Sequence, residues 1–200
     1  MTKILVVEDQ VLVRDAIATL LSLEDDLTVI GKCSNGQEAI DWLEQNTCPD
    51  IILTDIEMPH VSGIALAEQV LSSYDTKVII MTTFAKPGYI SRSLKLGVSG
   101  FILKEANSDY LIASIKKVIS GKKVVDPELA MMALEDKNPL STKEGRALEL
   151  AGQGVKTQEI SQKLFLSEGT VRNYLSDAIA KLNATNRIDA YRIAKQKGWL

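Results

Sequence analysis

Two hundred residues allow one large or two small domains, and 46% hydrophobic against 24% charged residues is the balance of a water-borne globular chain. No apolar run approaches the roughly 20 residues that span a bilayer, and the lone histidine, His60, leaves little room for a histidine-based triad or zinc site. The net charge of −3 is unevenly spread: residues 1–121 carry 10 Lys and Arg against 16 Asp and Glu (−6), residues 122–138 carry 3 against 4 (−1), and residues 139–200 carry 10 against 6 (+4). A polyanionic partner is therefore expected at the second half alone.

In chain order, strand-like runs at Lys3–Val7, Leu27–Cys33, Ile51–Thr54, Lys77–Thr82 and Gly100–Leu103 alternate with amphipathic segments. Those segments are Gln10–Leu23, Gly36–Gln45, Gly63–Ser72, Tyr89–Lys95 and Ser108–Ser120. The strand candidates are short, apolar and rich in β-branched residues, the pattern of strands buried on both faces. Five βα units in a row predict an α/β flavodoxin-like domain with a parallel five-stranded sheet, order 2-1-3-4-5. Gly121-Lys122-Lys123 ends this block, and residues 122–138 are expected to form a linker with a short helical stretch around Glu128–Leu134. From Ser141 no strand pattern appears. Four helices are predicted at Thr142–Gly152, Thr157–Leu164, Glu168–Leu182 and Arg187–Lys197, with Ser141, Thr157 and Ser167 at or near their caps. The expected division is 1–121, 122–138 and 139–200. Cys33 and Cys48 lack metal-ligand spacing and are read as thiols in a reducing cytoplasm. Glu8 and Asp9 interrupt the first apolar stretch, so no leader segment is read there and a cytoplasmic location is expected.

Chemistry concentrates at the strand ends. Glu8 and Asp9 follow the first strand and Asp55 the third, and the 2-1-3-4-5 order places those strands side by side. In open α/β sheets ligands bind at the carboxyl ends of the strands. One strand-end acid is commonly a solvated edge residue. Three at one rim repel each other and call for a cation, and Mg²⁺ suits oxygen ligands of this kind. Thr82 closes the fourth strand and Lys104 follows the fifth. A hydroxyl and an ammonium facing carboxylates make sense where a phosphoryl group arrives. Asp55 is then the nucleophile, because a carboxylate can form an acyl phosphate.

These segments resemble a receiver domain of a two-component response regulator. The resemblance rests on Val6-Val7-Glu8-Asp9-Gln10, Leu53-Thr54-Asp55-Ile56-Glu57-Met58-Pro59, Ile80-Met81-Thr82-Thr83 and Gly100-Phe101-Ile102-Leu103-Lys104. It implies that Asp55 accepts phosphate from a sensor histidine kinase. It also implies that Glu8, Asp9 and Asp55 hold Mg²⁺ with the backbone carbonyl of Glu57, and that Thr82 and Phe101 are a switch pair. Many receivers have Pro after the lysine; Glu105 stands there in this chain. The segment Thr83–Tyr89, with Pro87-Gly88 and the aromatics Phe84 and Tyr89, is a candidate moving loop.

In the basic half, Thr157–Leu164, the turn Phe165-Leu166-Ser167, and the helix from Glu168 read as helix-turn-helix. Ile160, Leu164, Val171 and Leu175 fall on facing apolar stripes, leaving Thr170, Arg172, Asn173 and Ser176 on the polar side. Arg reads guanine and Asn reads adenine in the major groove. Lys156, Thr157, Lys163, Lys181 and Arg187 are expected at phosphates. Periodicity and charge alone fit a generic four-helix interaction module equally well. Leu140-Ser141-Thr142-Lys143-Glu144, Glu159-Ile160, Leu166-Ser167-Glu168-Gly169-Thr170-Val171-Arg172 and Lys181-Leu182 with Asn186-Arg187 resemble the LuxR-type helix-turn-helix of NarL/FixJ regulators. Arg146, Tyr174 and Ser161 depart from the usual glutamate, histidine and alanine, and Arg146 puts a familiar intradomain ion pair in doubt.

The expected protein is a non-enzymatic, phosphorylation-activated transcriptional regulator that pairs as a homodimer and binds promoter DNA. The resemblance places its pairing surface on Arg187–Lys197. RNA polymerase is a further candidate partner, and no membrane insertion is expected. Some stretches, such as Leu23-Glu24-Asp25-Asp26 and Thr82–Tyr89, are similar to the membrane-lipid and cell-envelope-stress branch of Gram-positive regulators. Two rivals remain open at this point: a regulator switched without phosphate, and an aspartate-nucleophile phosphohydrolase in which Glu57 stands at general-acid spacing.

Overall fold

A computed structural model describes every residue except Phe84, Ala85 and Asp136, together with the side chain of Glu135. The chain forms two compact units, one built from residues 1–85 and 90–132, the other from 133–200 with 86–89.

The first unit alternates strands and helices. They are β1 (Thr2–Val7), α1 (Val11–Leu21), β2 (Leu27–Cys33), α2 (Gly36–Gln45), β3 (Ile51–Asp55), α3 (Gly63–Ser73), β4 (Lys77–Thr82), α4 (Pro87–Leu96), β5 (Gly100–Leu103) and α5 (Ser108–Ile119). Two further elements follow, β6 (Val124–Val125) and α6 (Pro127–Glu135). The sheet is parallel throughout with order β2-β1-β3-β4-β5-β6. Every residue of β3 is buried, as a central strand covered on both faces requires. Alternate residues feed opposite faces. Ile4, Val6, Ile51, Leu53, Ile79, Met81 and Ile102 pack with Leu21 of α1 and with Leu111, Ile115 and Val118 of α5.

The sheet has six strands where the sequence predicts five. Val124 and Val125 pair with Gly100 and Phe101, and the Asp126 N–H donates to the Phe101 carbonyl at 3.0 Å. A two-residue strand carries no periodicity, so it leaves no pattern to read. It lies, with α6, in the stretch read as a linker.

The second unit is all-helical: α7 (Thr142–Gly152), α8 (Thr157–Leu164), α9 (Glu168–Lys181) and α10 (Arg187–Lys197). Ala147, Leu148, Ile160, Val171, Leu175, Ala178 and Ala190 form its core. Ser141 caps α7 in a full capping box with Glu144, and the Ser167 hydroxyl caps α9. Thr157 stands next to the cap: it is the first helical residue of α8, and Lys156 holds the cap position without a side-chain bond. α8 ends at Phe165 in a left-handed conformation, φ 55°, which turns the chain into α9.

Candidate functional site

Parallel register brings the predicted strand ends to one rim. Val7 is level with Thr54, Asp55 with Met81, and Thr82 with Leu103. Glu8, Asp9 and Asp55 each place a carboxylate oxygen within 4.8 Å of the other two. Glu8 is 2% and Asp55 7% exposed. Lys104 bridges them, its Nζ 2.7 Å from Glu8 Oε2 and 3.1 Å from Asp55 Oδ2. Asp55 Oδ1 accepts the Ile56 N–H at 2.7 Å, which fixes the carboxylate plane and leaves Oδ2 toward the lysine. The Lys104 N–H donates to the Thr82 carbonyl at 2.9 Å, so the hydroxyl strand and the lysine strand are held in register. Thr82 and Phe101 are both buried.

Burial sets the electrostatics. Desolvation pushes the Glu8 carboxyl above its usual range, with the Asp55 charge adding to the rise, although Lys104 pulls the other way. Desolvation also works against the Lys104 ammonium, but its bonds to Glu8 and Asp55 outweigh that and raise its pKa. Lys104 pairs with two of the three carboxylates, Glu8 and Asp55, so the three acids outnumber the ammonium that meets them. Asp9 Oδ1 is buried and, among the described residues, has no hydrogen-bond partner. A buried carboxylate oxygen in that condition costs free energy unless something positive meets it. The donor set is all carboxylate oxygen, which fits Mg²⁺. Glu57, expected to add its carbonyl, lies two residues beyond Asp55 on the loop to α3, with its side chain exposed. Phe84, in the loop read as a mover, lies outside the described residues; the end of that stretch, Pro87–Tyr89, is the first turn of α4, and the Lys86 ammonium sits 4.8 Å above the Tyr89 ring.

In the helical unit, Val171, Leu175 and Ala178 bury one face of α9 while Arg172, Asn173 and Ser176 stand exposed on the other. Thr170 is partly buried, its hydroxyl 2.9 Å from that of Ser167. Arg172 pairs along the helix with Glu168 at 2.8 Å. Lys156, Lys163 and Arg187 are exposed, and Thr157 is partly buried at the start of α8. Lys181 is placed differently from the others: its ammonium donates to both carboxylate oxygens of Glu144 at 2.8 Å, tying α9 to α7. The ion pair that Arg146 put in doubt thus has a counterpart made by other residues.

Residues 4–116 match the response regulator receiver domain, and residues 138–194 match the luxR family of bacterial regulatory proteins. The chain is a two-component response regulator with a LuxR-type DNA-binding domain. Its relatives include the uncharacterized transcriptional regulatory protein YvfU of Bacillus subtilis, 45% identical with both chains fully covered. The transcriptional regulatory protein DesR of the same organism is 43% identical over all of this chain and 99% of its own. These relatives are transcriptional regulators rather than enzymes, which removes the phosphohydrolase alternative. Among solved structures, the RcsB–DNA complex shares the fold, with a TM-score of 0.67 at 23% identity over 98% of each chain. No helix among the described residues of the regulator is long and apolar enough to cross a membrane.

Two features of the regulator's rim escape the sequence pattern. The Arg14 guanidinium donates to the Glu8 carbonyl at 2.6 Å. Gly63, first residue of α3, lies so close to Asp55 that a Cβ there would fall on the Asp55 backbone carbonyl oxygen. A glycine four residues past a Met-Pro pair reads only as a helix start.

The Glu144–Lys181 pair makes the helical unit acid-sensitive. Burial opposes the Glu144 charge, but bonds from Lys181 and Ser141 overcome it and hold the carboxyl below its ordinary 4.5. A depressed carboxyl stabilises the fold above its unfolded pKa, and that contribution is lost as pH falls through the lower folded value. Glu144→Gln keeps the length and the cap but removes the charge. It should cost about 1 kcal/mol at neutral pH, a figure reduced because Lys181 is half exposed. Thermal unfolding should show the gap between wild type and variant closing as pH falls below 4.5. A gap that persists there would assign the loss to packing instead of charge.

Proposed function

We propose that this regulator is switched by phosphorylation of Asp55 and then binds promoter DNA as a homodimer. The observation that carries the proposal is the rim itself: a buried aspartate bridged by Lys104, beside two further carboxylates, one with an unpartnered buried oxygen. In this reading the receiver, expected as 1–121, runs on through β6 and into α6, the rest of 122–138 is the connection and 139–200 the DNA-binding module.

The donor is a phosphohistidine of a sensor kinase. The Asp55 Oδ2 attacks phosphorus in line, the P–N bond breaks, and the imidazole leaves with a proton. Bound Mg²⁺, held by Glu8, Asp9, Asp55 and the Glu57 carbonyl, would supply the positive charge that offsets the attacking and transferred oxygens. Lys104 exchanges its carboxylate contact for a phosphoryl oxygen, and the Thr82 hydroxyl donates to another. The movement of Thr82 opens or fills space beside Phe101, and the altered face pairs two chains. α10 supplies pairing in the DNA-binding half.

Arg172, Asn173, Thr170 and Ser176 read bases, while Lys156, Thr157, Lys163 and Arg187 hold phosphates. Lys181 joins them only by leaving Glu144. Two half-sites about one helical turn apart are expected. A single helix-turn-helix with an acid-tempered recognition helix makes few phosphate contacts, so pairing should raise affinity through effective concentration by about a hundredfold.

The test uses a duplex selected from a random pool by the wild-type chain in Mg²⁺ and beryllofluoride, an acyl-phosphate mimic. Beryllofluoride should raise affinity for that duplex about a hundredfold. Arg172→Ala should then cost about 1–3 kcal/mol and relax the preference at one base position. Equal affinity with and without beryllofluoride would favour a phosphate-independent signal.

A further inference from the structure

We infer that Arg14 is a positioning residue for the metal site: its side chain holds the β1–α1 loop so that Glu8 and Asp9 face the cation together. The inference rests on the Mg²⁺ reading of the rim given above.

Three observations carry it. First, α1 begins without the device that ordinarily fixes a loop to a helix. Its N-cap residue is Gln10, which makes no side-chain cap bond, and its first turn has no acidic residue. The Gln10 N–H reaches the Glu8 carboxylate only at 3.3 Å. The loop Glu8-Asp9-Gln10 thus lacks the short cap bonds that Asn35 and Asn107 give to α2 and α5, at 2.9 and 2.8 Å. Second, Arg14 supplies the missing restraint from the second turn of α1. Its backbone N–H donates to the Gln10 carbonyl at 2.9 Å, and its guanidinium turns back to the Glu8 carbonyl at 2.6 Å. A charged donor on a neutral carbonyl at that distance is a strong bond. Together with the Glu8 N–H, which donates to the Cys33 carbonyl at 3.0 Å, it fixes the Glu8 peptide at both ends. Third, the residue placed next along the loop is Asp9, whose Oδ1 is buried and unpartnered among the described residues. Nothing on Asp9 itself aims that oxygen, so its direction comes from the backbone that Arg14 holds.

Arg14 also carries a positive charge near a cation site, which by itself disfavours the cation. Positioning and charge therefore predict opposite signs when the residue is removed, and this makes the inference decidable. Groups that orient ligands without touching the metal commonly change affinity tenfold or more when lost.

The experiment is calorimetric titration of Mg²⁺ into the full chain without any phosphoryl donor, for wild type, Arg14→Met and Arg14→Lys. Thermal unfolding of each metal-free protein runs alongside. Arg14→Met, which keeps the aliphatic stem, should weaken Mg²⁺ binding about tenfold. Arg14→Lys, which keeps the charge and one donor, should lie between it and wild type. A purely structural role would lower the metal-free unfolding temperature and leave Mg²⁺ affinity of the folded protein unchanged. Unchanged or tighter Mg²⁺ binding by Arg14→Met overturns the assignment while the metal reading of the rim stands. Should Arg14→Met fail to fold, Arg14→Lys binding as tightly as wild type would overturn it equally. Absence of any Mg²⁺ heat with wild type would remove the metal reading, and the Arg14 role with it.

Discussion

Asp55→Ala should remain monomeric in Mg²⁺ and beryllofluoride, conditions in which the wild-type chain is expected to double its mass. The substitution deletes the oxygen proposed to bond the phosphate mimic, so the loss should be complete and not graded. It also frees Lys104 from one of its two carboxylates. Removing one partner of a buried pair is usually destabilising, yet here Glu8 remains 2.7 Å from the ammonium and excess negative charge is relieved. The unfolding temperature of the receiver should therefore change little or rise. Multi-angle light scattering reads the first expectation and calorimetry the second. A variant that still doubles its mass with beryllofluoride would place the trigger of assembly elsewhere.

Gly63→Ala should damage the same site from behind. The reason is space and not conformation: Gly63 is not among the residues with positive φ, but an added methyl would overlap the Asp55 carbonyl oxygen. That oxygen already accepts the Thr54 hydroxyl at 3.0 Å, and the Gly63 N–H donates to the Ile56 carbonyl at 3.0 Å. No flexible side chain can give way, so either α3 withdraws or β3 bends at its last residue. Overpacking of this kind costs about 1–3 kcal/mol, and a backbone neighbour places it at the upper end. The stability loss should appear in urea unfolding. Fluorescence or calorimetry should show weaker beryllofluoride binding, because Asp55 moves with its carbonyl. Retained stability with retained binding would mean that α3 packs against β3 with room for a methyl group.

Much of this architecture is visible in the chain because its signals are local and regular. β3 reads as Ile51-Ile52-Leu53-Thr54, and the run ends where the carboxylate begins. Val171, Leu175 and Ala178 leave only one orientation for α9, so Arg172, Asn173 and Ser176 must point outward. What escapes is what depends on tertiary distance. Glu144 and Lys181 stand 37 residues apart, and nothing in the sequence says that this lysine, unlike Lys163, is already engaged. Arg14 reaches back six residues to a backbone carbonyl, a partner that has no residue type to recognise. Gly63 looks like any helix-starting glycine until the fold brings Asp55 against it. Thr157, read as at or near the cap of α8, stands one residue inside it, with Lys156 at the cap itself, a difference within the one or two residues by which helix ends are uncertain.

The short β6 changes where the receiver ends as a physical object. A fragment stopped at Gly121 would lose Val124 and Val125 and the Asp126 N–H, and with them the outer cover of β5. The exposed ladder would run along Gly100 and Phe101, beside the residue expected to report phosphorylation. Open strand edges invite pairing between copies of the chain. An isolated receiver trimmed that tightly would therefore tend to self-associate for a reason unrelated to signalling. Leu129, 1% exposed in α6, would also be missing from such a fragment. The smallest piece that preserves the sheet runs through about residue 132, where the first compact unit closes. Work on the separated halves should cut there, so that association seen in the receiver can be attributed to Asp55.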